Sequence, residues 1–226
     1  MSIDCKNYVI THRPGPVYQD DLYRGLCVGG LRQEGMLCEL DGENIAQYND
    51  RINELTGLYW IWKNTSSEYV GLCHYRRFFD NGGYRVDKAT IKWIMDAGCD
   101  IILSPIQLNW SMQHNIVLAS GSDLAIRGYE VFRELIQERQ PDYVDAFDHV
   151  MGHGFLYRCN LFVTRREVMN RYCEWLFSFL TDATDRVDVS RHGGYEHRVC
   201  GYFGEAMWTV WLRNNGLRVY DMPIGG

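Results

Sequence analysis

The chain has 226 residues, of which 46% are hydrophobic and 23% charged, and its formal net charge at pH 7 is −6. This length suits one α/β domain with a single core, and the composition is that of a folded globular protein rather than a disordered one. The negative balance argues against nucleic acid as a partner, because binding to a phosphate backbone needs a surplus of lysine and arginine.

Hydrophobic runs and cysteines indicate the compartment. No run approaches the roughly 20 apolar residues of a membrane helix, and the N-terminus lacks the apolar core of a signal peptide. The eight cysteines are scattered singly and form no C-x-x-C pair. We therefore expect a cytoplasmic protein whose cysteines are reduced and buried.

Strand and helix patterns alternate along the first half of the chain. Residues 7–11 form a β-branched run that predicts a strand. Leu55, Leu58, Tyr59 and Trp62 follow a helical spacing that predicts a helix over 53–63. A buried strand is predicted at 69–73, a helix at 90–97 and a further strand at 100–103.

The second half continues the alternation. Helices are predicted at 124–138, 141–150, 166–180 and 204–213, with strands at 154–164 and 217–222. Strands alternating with helices indicate an α/β fold with a mostly parallel central sheet flanked by helices. No repeat or flexible linker interrupts the pattern, which predicts a single domain over residues 1–226.

Polar residues follow the predicted strands at the points where these end. Thr11, His12 and Arg13 follow the first strand, residues 74–77 (His-Tyr-Arg-Arg) follow the strand at 69–73, and Ser104 follows the strand at 100–103. Ligands of open α/β sheets bind beyond the carboxyl ends of the strands. The sequence therefore predicts a ligand site at this edge of the sheet.

Two long segments carry a family resemblance: ELTGLYWIWKN at 54–64 and, within 69–78, YVGLCHYRRF. They resemble a bacterial family of capsular and exopolysaccharide biosynthesis glycosyltransferases, long known only as a domain of unknown function. The likeness extends through 9–12, 41–45, 100–103 and 173–177 and closes at 201–205 and 211–212. It therefore covers nearly the whole chain.

The resemblance implies a GT-A-like (Rossmann-like) domain that transfers a sugar from a nucleotide-sugar donor to a growing surface glycan. Residues 1–105 would be the nucleotide-binding half and 106–226 the acceptor-side half. The donor is expected to be UDP-linked, the acceptor a glycan or lipid-linked glycan of a capsule, exopolysaccharide or O-antigen, and association with the inner membrane peripheral. Some members resemble galactofuranosyltransferases.

Many GT-A enzymes hold a divalent metal on the donor diphosphate with a D-x-D motif, and this sequence has none. Arg76 and Arg77 follow the strand that in related folds precedes that motif. Guanidinium groups bind phosphate oxygens bidentately and stay charged at physiological pH. We therefore expect these arginines to replace the metal, although Mn²⁺ or Mg²⁺ remains open and no other cofactor is predicted. The alternative is that both are surface arginines paired with carboxylates.

Further residues are assigned to the substrate by their place in the pattern. Thr11 and His12 would contact the base or ribose, or else shape a turn. Glu54 would bind ligand, or else favour the start of its helix through the helix dipole. The full set of substrate-binding candidates is Thr11, His12, Asn44, Glu54, Tyr59, His74, Tyr75, Arg76, Arg77, His153, Asn160 and Arg198.

Two carboxylates are candidates for the base that accepts the acceptor's hydroxyl proton. Glu205 is the first, with N-terminal helix capping as its alternative, and Asp188 is the second. His149 and His153 have the spacing of a helical metal pair, but Gly152 and Gly154 interrupt the helix, so no metal ligand is predicted.

Two other functions remain compatible with the sequence. The first is a non-catalytic accessory protein that binds a sugar nucleotide in the same pocket. The second is a metal-dependent α/β hydrolase, which the scattered histidines would allow. Transfer or hydrolysis of a donor separates the first from an enzyme, and metal analysis tests the second.

Overall fold

The fold is built around a seven-stranded sheet. The computed structural model describes residues 3–108, 116, 122–153 and 155–226. The strands in this part are β1 (Cys5–Thr11), β2 (Tyr23–Cys27), β3 (Leu37–Cys38), β4 (Tyr69–His74), β5 (Phe78–Asn81), β6 (Tyr84–Arg85), β7 (Ile101–Leu103), β8 (Gln107–Leu108), β9 (Phe155–Leu156), β10 (Phe162–Arg165), β11 (Val219–Asp221) and β12 (Ile224–Gly225).

Eight α-helices accompany the strands within the same described ranges. They are α1 (Asn49–Ile52), α2 (Leu55–Asn64), α3 (Lys88–Asp96), α4 (Ser122–Arg139), α5 (Val144–Gly152), α6 (Arg166–Phe177), α7 (Leu180–Arg186) and α8 (Val199–Asn215). Within the described ranges, each helix is too short or too polar to span a bilayer.

The strand order of the large sheet is β11-β7-β10-β4-β1-β2-β3. Four neighbouring pairs are parallel: β11 with β7, β4 with β1, β1 with β2, and β2 with β3. β10 lies between β4 and β7 and runs antiparallel to both. The predicted α/β fold, with a mostly parallel central sheet flanked by helices, is confirmed.

Both faces of the sheet are covered, because successive strand residues point to opposite sides. Tyr8 and Ile10 of β1 belong to the larger core cluster, which includes residues of α2 and α4 to α8. Val9, between them, belongs to a smaller cluster with Ile94 of α3. The sheet edge at the carboxyl ends of β1, β2 and β4 is therefore where a ligand can enter.

Gly71 allows close packing in the middle of this sheet. A Cβ atom at this position would lie 2.8 Å from the Phe162 carbonyl oxygen and 2.9 Å from the Asn7 Oδ1. Real Cβ atoms do not approach other heavy atoms that closely. Glycine at residue 71 is therefore required for β4 to lie between β1 and β10.

The structure divides two of the predicted elements. The predicted helix 166–180 corresponds to α6 and the first residue of α7, which continues to Arg186. The break between them falls at Ser178, whose hydroxyl donates to the Trp175 carbonyl over 2.7 Å. The predicted strand 154–164 is β9 and β10, separated by residues 157–161; Gly154 lies outside the described residues. Cys159 and Asn160 have positive φ angles of 69° and 51°, which extended strands do not accommodate.

The last helix begins earlier than predicted. α8 starts at Val199 rather than Gly204, and it ends at Asn215, where Gly216 adopts a left-handed cap with φ 61°. Glu205 therefore lies in the second turn of the helix. Its carboxylate accepts a hydrogen bond from the Cys159 N–H rather than from its own helix terminus, so the capping interpretation is wrong.

Candidate functional site

A cavity of about 450 Å³ lies at the carboxyl ends of β1, β2 and β4, between α1 and the N-terminal half of α8. This is the sheet edge that the strand ends predicted. Its lining comes from both halves of the chain: Ile10, His12, Val28, Gly29, Asn49, Asp50, Asn53, Glu54, His74, Tyr75, Arg76, Arg77, Cys159, Arg198, Gly201, Tyr202 and Glu205.

The wall beyond β4 is a tight turn that fixes two arginines. The His74 N–H donates to the Arg77 carbonyl over 2.9 Å, and the Arg77 N–H donates back over 3.1 Å, closing the turn between β4 and β5. The Tyr75 N–H donates to the Ile10 carbonyl, which anchors the turn to β1. Arg76 lies over the Tyr75 ring, 5.0 Å from its centroid.

Three arginines line the cavity, which also holds the carboxylates of Asp50, Glu54 and Glu205. Arg76, Arg77 and Arg198 line it, and none of them forms a salt bridge in the part of the chain that the structure describes. Arg76 and Arg77 are exposed, as the alternative interpretation expects of surface arginines, but neither forms a salt bridge with a carboxylate of the described residues. Unpaired guanidinium groups around a concave surface attract an anion.

His12 lies beside this positive wall. Its ring meets the Tyr75 ring edge to face, with 5.9 Å between centroids. Burial lowers the pKa of His12, and the nearby charges of Arg13 and Arg198 lower it further. Thr11 contributes indirectly, because its buried hydroxyl donates to the Arg13 carbonyl over 2.8 Å and shapes the turn that carries His12.

The floor of the cavity holds two carboxylates. Glu205 accepts the Cys159 N–H over 2.5 Å, and Glu54 accepts the Asn160 side-chain amide over 2.9 Å. Burial and the neighbouring charge of Glu54 raise the pKa of Glu205. Burial lowers the pKa of His74 against the opposing pull of Glu54. The floor of the cavity thus carries the Glu54 and Glu205 carboxylates and the His74 imidazole, and its wall carries the arginine guanidinium groups.

Backbone strain is concentrated at this floor. Three non-glycine residues of the described chain have positive φ angles: Asn53 (50°), Cys159 (69°) and Asn160 (51°). Asn53 and Cys159 line the cavity, and the Asn160 side-chain amide donates a hydrogen bond to Glu54. Left-handed conformations cost energy for residues other than glycine and gather at ligand sites.

The wall formed by β2 and α1 was not predicted. Gly29, Asn49, Asp50 and Asn53 line it, and a buried carboxylate behind it, that of Glu39, organises it. The doubled glycine at 29–30 after a strand was the signal that could have located this wall. The α1 residues gave no signal, because a helix of four residues has no readable periodicity.

Glu39 holds the wall through short hydrogen bonds. It accepts the Gly29 N–H over 2.5 Å and the Thr56 hydroxyl over 2.6 Å, and Asn49 donates to Thr56 over 2.8 Å. Burial raises the pKa of Glu39 despite these bonds. The carboxylate therefore ties the end of β2 to the start of α2.

Several predicted site residues lie away from the cavity. The Asn44 side chain donates to the Gly42 carbonyl in a local turn, and Asp188 is exposed and accepts the Ser190 N–H. The Tyr59 hydroxyl donates to Glu43, and its ring packs against Phe177. The structure does not bring these three side chains to the other candidates.

His153 belongs to a separate groove. Its ring stacks on that of His149, with 4.1 Å between centroids, beside Phe155 and Arg213. Among the residues described, no group of three or more His, Cys, Asp or Glu side chains is arranged to hold a metal ion. Residues 109–115, 117–121 and 154 of the expected acceptor-side half lie outside the described residues.

Fold and cavity together define an α/β protein with a site of arginines and carboxylates at the carboxyl ends of parallel strands. Residues 6–216 match the family model described as Domain of unknown function (DUF4422), and the chain belongs to that family. None of the curated proteins matches the chain.

Two solved structures match the chain, and they superpose on it to very different degrees. The apo structure of the bifunctional glycosyltransferase WbbM superposes with a TM-score of 0.81 at 24% sequence identity, over 98% of this chain and 45% of the WbbM chain. This chain thus has the fold of a part of WbbM and spans less than half of its length. The mannosyltransferase Ktr4p of S. cerevisiae aligns over 90% of this chain and 61% of its own, with 11% identity and a TM-score of 0.36.

Proposed function

We propose that this protein is a glycosyltransferase that moves a sugar from a UDP-linked donor to a growing bacterial surface glycan. The observation that carries the proposal is the pairing, in one cavity, of three arginines without salt bridges and two carboxylates on the floor. The fold shared with WbbM, a bifunctional glycosyltransferase, supports the same reading.

The arginines are suited to the donor diphosphate. Arg76 and Arg77 approach the cavity from the turn after β4, and Arg198 approaches from the start of α8, so an anion between them meets charge from two sides. Such groups stabilise the negative charge that grows on a departing nucleoside diphosphate. Because His12 has a lowered pKa, it serves as a neutral hydrogen-bonding group near neutral pH.

Glu205 is the proposed base. During transfer, the bond between the anomeric carbon and the diphosphate oxygen breaks, and its electron pair leaves with UDP. The acceptor hydroxyl oxygen forms the new bond to the anomeric carbon, and its proton passes to the Glu205 carboxylate. A raised pKa suits this role because it brings the base closer to the pH at which it works.

The arginines also suit catalysis without a metal. The wall where related enzymes place an acidic motif is cationic here, and a divalent ion would be repelled by Arg76 and Arg77. We propose a lipid-linked glycan of a capsule, exopolysaccharide or O-antigen as the acceptor, with work at the cytoplasmic face of the membrane. Galactofuranose is one candidate sugar.

The test is turnover and UDP affinity in arginine variants. We expect Arg76→Ala, Arg77→Ala and Arg198→Ala each to weaken UDP binding about 10- to 100-fold, the equivalent of the ~1.5–3 kcal/mol of a hydrogen bond to a charged group. Arg127→Ala is the matched control, because Arg127 is exposed and pairs with Glu130 on α4. Calorimetry measures binding, and release of UDP from UDP-sugars measures turnover.

The same assay decides between the alternatives. Turnover that persists in excess EDTA supports a metal-independent reaction, and strict dependence on Mn²⁺ or Mg²⁺ bound near the 74–77 turn contradicts it. UDP-sugar binding without transfer or hydrolysis would favour the accessory protein. Unchanged UDP affinity in all three arginine variants would contradict the proposed site.

A further inference from the structure

Three buried polar atoms lie at or behind the floor of the cavity without a partner in the described protein. The Asn160 Oδ1, the His74 Nε2 and the Tyr75 hydroxyl are buried and have no hydrogen-bond partner among the described residues. Asn160 itself is only 3% exposed. Buried polar atoms without partners cost free energy unless a ligand or water completes them.

The two floor carboxylates can also accept further hydrogen bonds. One oxygen of Glu54 is engaged by Asn160 and one oxygen of Glu205 by the Cys159 N–H, and neither side chain forms a salt bridge in the described chain. A carboxylate only accepts hydrogen bonds when ionised. The groups that complete this floor must therefore be donors, and sugar hydroxyls each supply one O–H.

Charge limits which sugars can present those hydroxyls. Glu54 already acts on Glu205 strongly enough to raise its pKa. A third carboxylate on the same buried floor would add repulsion in a medium that screens poorly. The arginines do not remove this repulsion, because in the proposed function they hold the diphosphate.

We propose that this floor selects donors with a neutral, hydroxyl-bearing sugar and rejects donors whose sugar is a uronate. Glu54 accepts the sugar hydroxyls, and Asn160 is the residue that positions Glu54. The left-handed backbone at Cys159 and Asn160 aims the Asn160 amide at Glu54 and the Cys159 N–H at Glu205. This inference rests on the proposed function, since it assumes that a sugar nucleotide occupies the cavity.

Matched donor pairs test the inference directly. UDP-galactose and UDP-galacturonate differ only in the oxidation state of C6, and UDP-glucose and UDP-glucuronate form a second pair. We expect at least one neutral donor to bind at least tenfold more tightly than its uronate partner and than UDP alone, by calorimetry. Uronates should bind no more tightly than UDP. Equal affinity within both pairs overturns the inference.

Two variants separate the floor from the diphosphate site. Glu54→Gln removes the charge and should reduce the preference for the neutral donor over its uronate. Asn160→Gly removes the amide while tolerating the positive φ, and should abolish the gain of the neutral sugar over UDP while leaving UDP affinity unchanged. A merely structural role for Asn160 would weaken UDP and UDP-sugar equally.

The outcomes distinguish this inference from the proposed function. If UDP binds but no neutral sugar improves on it, the selection of sugars by the floor is wrong while the diphosphate site stands. If UDP and all UDP-sugars fail to bind the wild-type protein, the proposed function is wrong and the inference falls with it. Undiminished sugar preference in Asn160→Gly would remove Asn160 from its positioning role.

Discussion

Glu205 is a partly buried carboxylate on the floor of the cavity. Its ordinary pKa of 4.5 is raised by burial and by Glu54, while the Cys159 N–H works in the opposite direction. A group whose folded pKa is raised stabilises the fold in its protonated form. This contribution is complete below the ordinary pKa and is lost as the pH rises through the folded pKa.

Glu205→Gln imitates the protonated carboxyl and should therefore be more stable than the wild type at pH 7–8. The advantage should shrink as the pH falls and vanish below about pH 4.5, the ordinary value of the pKa. Thermal unfolding across this range measures it, with roughly 2–4 °C in Tm for each kcal/mol. Glu34→Gln, at an exposed position, is the control and should show no such trend.

The same variant bears on the mechanism. Glu205→Gln should lose turnover while its UDP affinity stays close to that of the wild type, because the amide cannot accept the acceptor's proton. Near-normal turnover would remove Glu205 from the role of base. Stability and kinetics thus report on one carboxylate through independent measurements.

At this scale the sequence located the residues that follow strand ends. His12, His74, Arg76 and Arg77 could be predicted to meet because parallel strands end at one edge of the sheet. Asn53 could not, since its place on the cavity wall depends on the packing of α1 against α8. Closeness in sequence did not predict side-chain direction. Glu54 and Tyr59 are only five residues apart, but Glu54 lines the cavity while the Tyr59 ring packs against Phe177.

At the scale of elements, β4 connects the core to the cavity. It lies between β1 and β10 and ends in the turn that carries the two arginines. Its position depends on the absence of a side chain at residue 71, where the Phe162 carbonyl of β10 approaches. A substitution inside β4 should therefore change the position of the arginine turn at the cavity.

Gly71→Ala should destabilise the protein by about 1–3 kcal/mol, the usual cost of adding a methylene to a packed core, and more if β4 and β10 cannot separate. UDP affinity should fall as well, because the arginine turn moves with β4. Gly152→Ala is the control, since a Cβ there meets no atom of the described residues within 4 Å. Urea unfolding of both variants measures the difference, and equal stability would mean that the strands adjust without cost.

Element types were easier to predict than their limits. Hydrophobic periodicity identified the strands and helices around the core, because burial of one face dictates the pattern. The irregular stretch before β10 escaped prediction, since cysteine carries no preference for the left-handed conformation that Cys159 adopts. The left-handed conformation of Cys159 accompanies a contact between residues distant in sequence, the hydrogen bond from the Cys159 N–H to Glu205.

At the scale of the whole molecule, the arginine wall of the cavity differs in sign from the overall charge. The chain carries a net charge of −6, yet the cavity wall gathers arginines that form no salt bridge within the described residues. An anionic ligand therefore meets local attraction on a protein that repels it from a distance. Salt screens both terms, so an affinity that falls with salt would show that the local attraction outweighs the long-range repulsion.

UDP binding should weaken by roughly three- to fivefold between 0.05 and 0.5 M NaCl, the loss of ~0.7–1 kcal/mol expected for a screened charge pair. Uridine, which lacks the diphosphate, is the control and should bind equally at both concentrations. Calorimetry at the two salt concentrations measures the effect. A UDP affinity that does not respond to salt would argue against charge as the basis of diphosphate binding.

The place of β10 in the sheet has a consequence for how the chain folds during synthesis. β4 and β7 belong to residues 69–103, but the strand that joins them is made of residues 162–165. Until that strand has left the ribosome, the central sheet consists of separate pieces with unpaired edges. About sixty further residues must therefore be synthesised after β7 before β10 can pair with β4 and β7. The cavity is completed later still, because α8 forms part of its lining.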